Sequence, residues 1–171
     1  MILRGPRRPA GPALILACLF ALLLPACGRK GPPVPPRPIV PAAVALSAAV
    51  EGQTVLLRWA RPTRNADGSP LIGLNHFVLL RAAEPLPGGP SEGASPLRLL
   101  DAVPAVQPEN ATMDGETYRY VDGAREPLVF GIRYTYRIAA VTDRGISGPP
   151  AAAVVEVLPP LAPPRALRAE A

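Results

Sequence analysis

The sequence predicts an all-β domain over residues 42–158, folded as a sandwich of about seven strands. Two observations carry this prediction. Apolar and polar side chains alternate in several short segments, which is the period of a half-buried strand and not of a helix. Dipeptides that favour tight turns separate these segments, and no convincing helical stretch interrupts them. The turn dipeptides are Asp67-Gly68, Asp114-Gly115, Asp122-Gly123 and Arg144-Gly145.

Six segments have the strand pattern. They are residues 54–59, 76–81, 97–103, 117–121, 133–141 and 151–158. The third is weak and is ended by Pro104, whereas the fifth has the most regular alternation. Between the second and the third, residues 84–95 are rich in Pro and Gly and are expected to form a mobile surface loop. That loop is either a tolerated insertion or a binding loop, since loops lengthen at small free-energy cost.

The first 26 residues have the features of a signal peptide. Arg4, Arg7 and Arg8 give a positive start, and residues 13–24 form an apolar run of 12 residues. A membrane-spanning helix needs about 20 residues, so this run is too short for a stable anchor and suits the apolar core of a signal peptide. The short uncleaved anchor remains the alternative.

The sequence Leu24-Pro25-Ala26-Cys27 resembles the lipobox of bacterial lipoproteins, with an aliphatic residue at −3 and a small one at −1. The resemblance implies cleavage before Cys27 and attachment of diacylglycerol to its thiol. Acylation of the new amino terminus would add another chain, and stable anchoring takes at least two. Cys18 also follows a loosely similar tripeptide, but it would leave an apolar run of only about five residues.

The residues after the cysteine suggest a location and one possible role. An aspartate directly after the lipidated cysteine would imply retention in the inner membrane of a Gram-negative cell. Position 28 is a glycine instead, which favours the outer membrane. The stretch 27–32, CGRKGP, resembles the start of small lipoproteins that help to mature the lipopolysaccharide translocon. The alternative interpretation is that these residues only provide a soluble start after the lipid.

Proline-rich segments flank the predicted domain. Residues 27–41 are predicted to be the lipidated N-terminus and a linker, in which residues 32–41 form a polyproline II spacer of roughly 30 Å. Such a spacer would hold the domain clear of the lipid headgroups, and a PxxP ligand is the alternative. Residues 159–171 form a second Pro-rich segment, either the start of a truncated second module or an unstructured tail.

Motifs within residues 42–158 resemble a fibronectin type III domain, which has an immunoglobulin-like fold. Trp59 lies on the predicted first segment, as the core tryptophan of such domains does on their second strand. Leu128, Gly131 and Tyr134 match the Leu-x-x-Gly-x-x-Tyr motif before the sixth strand. The resemblance implies that these residues are structural, with Trp59 in the core and Tyr134 in a tyrosine corner.

Composition argues against several function classes. Residues 42–158 contain 10 basic and 12 acidic side chains, so no concentrated basic face for nucleic acid is expected. His76 is the only histidine, and both cysteines precede the domain, which gives no catalytic, cofactor or metal residue to propose. A calcium loop at Asn65, Asp67 and Ser69 lacks the following bidentate glutamate.

The sequence therefore predicts a non-enzymatic lipoprotein of the cell envelope, held by membrane lipid through acylated Cys27. Its domain would act as an interaction or scaffold module with an envelope protein as its partner. Two alternatives remain open. One is an accessory of outer-membrane lipopolysaccharide translocon assembly, and the other is a glycan-binding accessory of an envelope enzyme.

Overall fold

The computed structural model describes residues 38–91 and 93–161. The described chain forms two antiparallel sheets of four strands each, so the all-β prediction is confirmed. We name these the first sheet, with strand order β1-β2-β6-β5, and the second sheet, with order β4-β3-β7-β8. The strands are β1 Leu46–Glu51, β2 Thr54–Ala60, β3 Leu74–Pro85, β4 Ser95–Pro104, β5 Thr112–Asp114, β6 Thr117–Asp122, β7 Ile132–Thr142 and β8 Ala151–Val157.

Two strands of the first sheet have no counterpart among the six segments predicted from the sequence. Strand β1 is built largely of small residues and pairs along its whole length with β2, from Leu46 opposite Trp59 to Glu51 opposite Thr54. Strand β5 is only three residues long and pairs with β6 from Thr112 to Asp114. Neither has a distinct apolar alternation, so pairing with a neighbour is what fixes them as strands.

The second sheet is longer than the sequence predicted. Strand β3 continues to Pro85 and β4 begins at Ser95, so the predicted loop over residues 84–95 is shorter by a residue or two at each end. The first residue of the loop is tied to the domain, because the backbone N–H of Leu86 donates to the carbonyl of Gly131 at 2.8 Å. Two register shifts between β3 and β4 bend this edge of the sheet.

The core lies between the two sheets and is centred on aromatic side chains. Trp59 stacks on Tyr118 with 5.5 Å between ring centroids, and Phe77 contacts both rings edge-on. All three are at most 1% exposed. Strand β7 provides the long apolar row beneath them, with alternate residues from Ile132 to Ala140 buried. This arrangement explains how a domain poor in aromatic residues can fill a core.

The chain enters the sandwich slightly before the predicted domain boundary at residue 42. Pro41 is fully buried and forms a β-bridge with Asn65, and the N–H of Ala66 donates to the carbonyl of Val40 at 2.9 Å. The packed chain thus begins at about residue 40, and the last residues of the predicted spacer belong to the domain. The predicted signal peptide and most of the predicted linker, residues 1–37 including Cys27, lie outside the described residues. Residues 162–171 of the predicted tail do so as well.

Candidate functional site

The residues singled out from the sequence occupy one end of the sandwich and its centre. Trp59 lies in the core, and its indole Nε1 has no hydrogen-bond partner among the described residues. The hydroxyl of Tyr134 accepts a hydrogen bond from the backbone N–H of Val129 at 3.0 Å. Tyr134 therefore fixes the β6–β7 connection from five residues downstream, which is the geometry of a tyrosine corner.

Leu128 and Gly131 belong to the same connection. The N–H of Leu128 donates to the carbonyl of Gln53, and the Gln53 amide donates back to the carbonyl of Leu128, both at 2.8 Å. Gly131 has a φ of 78°, and an added Cβ would lie 3.0 Å from Pro90 Cδ. The position therefore favours glycine both for its backbone conformation and for the close approach of the β3–β4 loop.

A buried carboxylate that sequence reasoning did not single out joins the two sheets. Asp122, at the end of β6, is 6% exposed. One guanidinium nitrogen of Arg81 on β3 donates to both of its oxygens, at 2.8 and 2.7 Å. The hydroxyl of Tyr136 on β7 donates to Asp122 Oδ2 at 2.7 Å. A pattern of alternating residues gives no sign of such a contact, because the partners are 41 and 14 residues away.

The surroundings of this cluster set its protonation. Burial of the guanidinium opposes its charge, but the hydrogen bond and negative charge of Asp122 outweigh that effect and raise the pKa of Arg81. Burial raises the pKa of Tyr136, and the neighbouring Asp122 carboxylate raises it further. Tyr136 is therefore a neutral donor at physiological pH, and the cluster is a satisfied ion pair rather than a poised acid or base.

An open cleft of about 710 Å³ leads to Arg81 between the edges of the two sheets. Its rim carries charges of both signs, so it has no dominant charge with which to select an anion or a cation. The basic rim residues are Arg98, Arg119 and Arg125, and the acidic ones are Asp101, Glu109 and Glu126. The charge of Arg81 is already paired with that of Asp122.

The outer face of the second sheet has a different character. On this face, register places Leu99, Leu80, Arg137 and Ala152 side by side across the four strands. The adjoining row carries Val154, which is 57% exposed, and Leu99 itself is 61% exposed. We call these residues the apolar face. Leu99 and Val154 lie on the two edge strands of the sheet, with the half-buried Leu80 and the exposed Arg137 between them. Such exposed aliphatic side chains make this face a candidate binding surface.

Charged side chains lie at one end of the apolar face and at its centre. Arg133 on β7 donates to Glu156 on β8 at 2.8 Å, and this pair forms a polar border. Arg137 is exposed and forms no ion pair with another described residue. A partner with an aliphatic surface and one carboxylate would complement the arrangement.

The remaining sequence candidates have local roles. Residues 65–69 form a turn in which Asp67 Oδ1 accepts hydrogen bonds from the backbone N–H and hydroxyl of Ser69, which lowers the pKa of Asp67. His76 is half-buried on β3. Within residues 38–91 and 93–161, no group of three or more His, Cys, Asp and Glu side chains is placed to hold a metal ion. The same residues contain no helix long and apolar enough to cross a membrane.

Comparison with known proteins gives a structural result only. No protein-family model and no curated protein matches the chain. A structure of astrotactin-2, described as a conserved vertebrate-specific and perforin-like membrane protein, aligns with 71% of this chain at 15% identity and a TM-score of 0.45. The chain spans only 22% of that protein. A myokine structure aligns over 72% of this chain and 100% of its own length, at 11% identity and a TM-score of 0.40.

Proposed function

We propose that this protein is a lipid-anchored, non-catalytic adaptor of the cell envelope, which binds a protein partner through the apolar face. The observation that carries the proposal is the outward pair Leu99 and Leu80, with Val154 exposed on the edge strand β8 of the same sheet. Such residues lower the solubility of a free domain and are retained where a partner covers them.

The sandwich is proposed to be of the fibronectin type III kind. The eight strands can be lettered in chain order as A, B, C, C′, D, E, F and G. The first sheet then has the order A-B-E-D and the second the order C′-C-F-G. This is the immunoglobulin-like strand arrangement. The tyrosine corner between Tyr134 and Val129 at the start of the F strand and the buried Trp59 on the B strand support the same type.

The anchor is proposed from the sequence at Cys27. The apolar run of residues 13–24, followed by Leu24-Pro25-Ala26-Cys27, supports cleavage and acylation at this thiol. Two or more acyl chains would hold the protein on the membrane, and outer-membrane sorting is proposed from Gly28. The domain would then face the periplasm or the cell surface.

The anchor is tested with two matched cysteine variants. Cys27→Ser is expected to abolish acylation and to leave the uncleaved precursor, whereas Cys18→Ser is expected to leave both processing and anchoring unchanged. Intact-protein mass spectrometry of the membrane and soluble fractions gives the readout. An unmodified Cys27 with an intact initiator methionine in the soluble fraction would overturn the anchor.

The partner is tested by co-purification from detergent-solubilised envelopes. Recovery of a defined envelope protein, in amounts that depend on the apolar face, is the expected result. Recovery of the lipopolysaccharide translocon barrel would assign the adaptor to outer-membrane assembly. Retention on peptidoglycan instead would indicate a glycan accessory, although no Trp, Tyr or Phe among the described residues is fully exposed as a stacking platform. If no envelope protein is recovered, the adaptor role is contradicted.

A further inference from the structure

One end of the sandwich carries exposed aliphatic side chains that the packing of the domain does not require. This end consists of Ile39, the β2–β3 connection over residues 65–72 and the β7–β8 connection over residues 142–146, and we call it the entry pole. Ile72 is 84% exposed and Ile39 is 56% exposed. Together with the half-buried Leu71 and Ile146 they surround a depression of about 480 Å³.

Ile72 is held outward by its neighbours. The N–H of Leu71 donates to the carbonyl of Thr63 at 3.0 Å, and the carbonyl of Gly73 accepts from the N–H of Asp143 at 2.8 Å. Gly73 has a φ of 73°, and the Asp143 carboxylate lies 2.7 Å from where a Cβ at that position would stand. Because the backbone is fixed on both sides, little conformational entropy is lost when the Ile72 side chain is covered.

Chain connectivity indicates what covers the entry pole. Cys27 precedes Pro38 by 11 residues, which reach at most about 40 Å when fully extended. With Cys27 acylated as proposed, the pole at which Pro41 pairs with Asn65 would be the end of the domain nearest to the tether. The opposite end lies further along the 12-residue strand β3, by about 40 Å.

We propose that the entry pole is a lipid-contact surface, on which Ile39 and Ile72 insert into the headgroup region of the bilayer that holds Cys27. This inference rests on the proposed lipid anchor. The separation of 11 residues from Cys27 to Pro38 is long enough for the pole either to stay clear of the headgroups or to reach them, and the exposed Ile72 favours contact.

Charges at this end make the contact apolar rather than electrostatic. Arg64 and Arg144 are offset by Asp67 and Asp143 in the same connections. The β5–β6 turn adds Glu116, whose carbonyl accepts the N–H of Arg61 at the same end of the sheet. Contact with the bilayer should therefore depend weakly on ionic strength and on the content of anionic lipid.

The test places an environment-sensitive fluorophore on the full, acylated protein in vesicles of phosphatidylethanolamine and phosphatidylglycerol. The label is attached to Ile72→Cys, with Val129→Cys as the matched control. Val129 is 45% exposed and lies in the β6–β7 connection, at the opposite end of the sandwich. We expect blue-shifted emission at position 72, with several-fold stronger quenching by brominated lipid than at position 129, and little change on adding salt.

Vesicle flotation separates failure of the inference from failure of the anchor. If the acylated protein floats with the vesicles but the label at position 72 stays in water, the entry pole is not a lipid-contact surface, and the inference is overturned while the anchor stands. If the label shifts to the blue without quenching by lipid, a second copy of the protein covers the pole, which also overturns the inference. A protein that neither floats nor carries lipid on Cys27 overturns the anchor and the inference together.

Discussion

The guanidinium of Arg81 donates to both carboxylate oxygens of Asp122, at 2.8 and 2.7 Å, and thereby joins the second sheet to the first. Tyr136 adds a third hydrogen bond to the same carboxylate from β7. The side chain of Arg81 is 22% exposed and that of Asp122 is 7% exposed. The contact therefore links the two sheets at the base of the cleft, where the apolar core ends.

Asp122→Asn is expected to destabilise the domain by about 2 kcal/mol, because it leaves the half-buried Arg81 without its counter-charge. Urea unfolding followed by tryptophan fluorescence measures the change. Glu156→Gln is the control. It breaks the exposed pair with Arg133, whose side chains are 42% and 43% exposed, and should change stability by less than about 1 kcal/mol. Equal effects of the two substitutions would show that the link between the sheets is not stabilising.

Alkaline pH is expected to unfold the domain through its tyrosines. Burial raises the pKa of Tyr120 to about 12, with the Asp101 and Asp122 carboxylates contributing. Burial also raises the pKa of Tyr136. An unfolded chain ionises its tyrosines near pH 10. The contribution of Tyr120 and Tyr136 to the free energy of unfolding should therefore be constant below pH 10. It should fall as the pH rises from 10 to about 12.

Tyrosinate absorbance and circular dichroism, recorded together from pH 8 to 12.5, measure this behaviour. Tyr120→Phe is the control, and its stability should fall less steeply over the same interval. Tyrosinate absorbance that develops fully near pH 10 while the fold persists would contradict the prediction.

Sequence periodicity predicted the strands that alternate strongly and missed those that do not. Strand β7 alternates from Ile132 to Ala140, because one side faces the core and the other lies on the outer face of the sheet. Strand β1 follows no such pattern, since Ala48 and Ala49 have small side chains and the strand lies at an edge. Its position is set by the hairpin it forms with β2 across Gly52 and Gln53, a turn that is not among the dipeptides singled out from the sequence.

The candidate site was less accessible to sequence reasoning than the fold. The sequence indicates only a turn at Asp122-Gly123, and Gly123 does have the positive φ of such a turn, 89°. The pairing of Asp122 with Arg81 depends on the order of strands across two sheets. The apolar face likewise arises only when register brings Leu99 beside Leu80. Local sequence cannot show which of two alternating sides of a strand a partner will cover.

Gly131→Ala is expected to destabilise the domain by about 2 to 3 kcal/mol, through a strained φ of 78° and crowding against Pro90 and Gly89. Gly115→Ala separates the two causes. Gly115 has a φ of 59°, and no atom lies within 4 Å of an added Cβ, so only the backbone strain of about 1 kcal/mol applies. Urea unfolding of both variants measures the difference. Equal losses would show that the β3–β4 loop moves aside without cost.

The last prediction concerns the apolar face, where a substitution should weaken partner binding without changing the stability of the domain. Leu99 is 61% exposed on β4, so Leu99→Glu should change the free energy of unfolding by no more than about 0.5 kcal/mol. If a partner covers this face, the same substitution buries an uncompensated carboxylate and should reduce recovery of the partner at least about tenfold. Val106→Glu is the matched control, because Val106 is 64% exposed but lies in the connection after β4.

Quantitative co-purification from detergent-solubilised envelopes, with protein amounts normalised to the acylated chain, measures both variants. Retained binding in Leu99→Glu would exclude the apolar face as the docking surface. Equal losses in Leu99→Glu and Val106→Glu would point to a general effect of added negative charge. Arg137→Ala and Arg137→Lys test the cation further, since binding that is lost in Arg137→Ala but kept in Arg137→Lys would indicate a negative charge opposite this position. Because Arg137 forms no ion pair within the described chain, its removal leaves no internal charge uncompensated and reports on the partner alone.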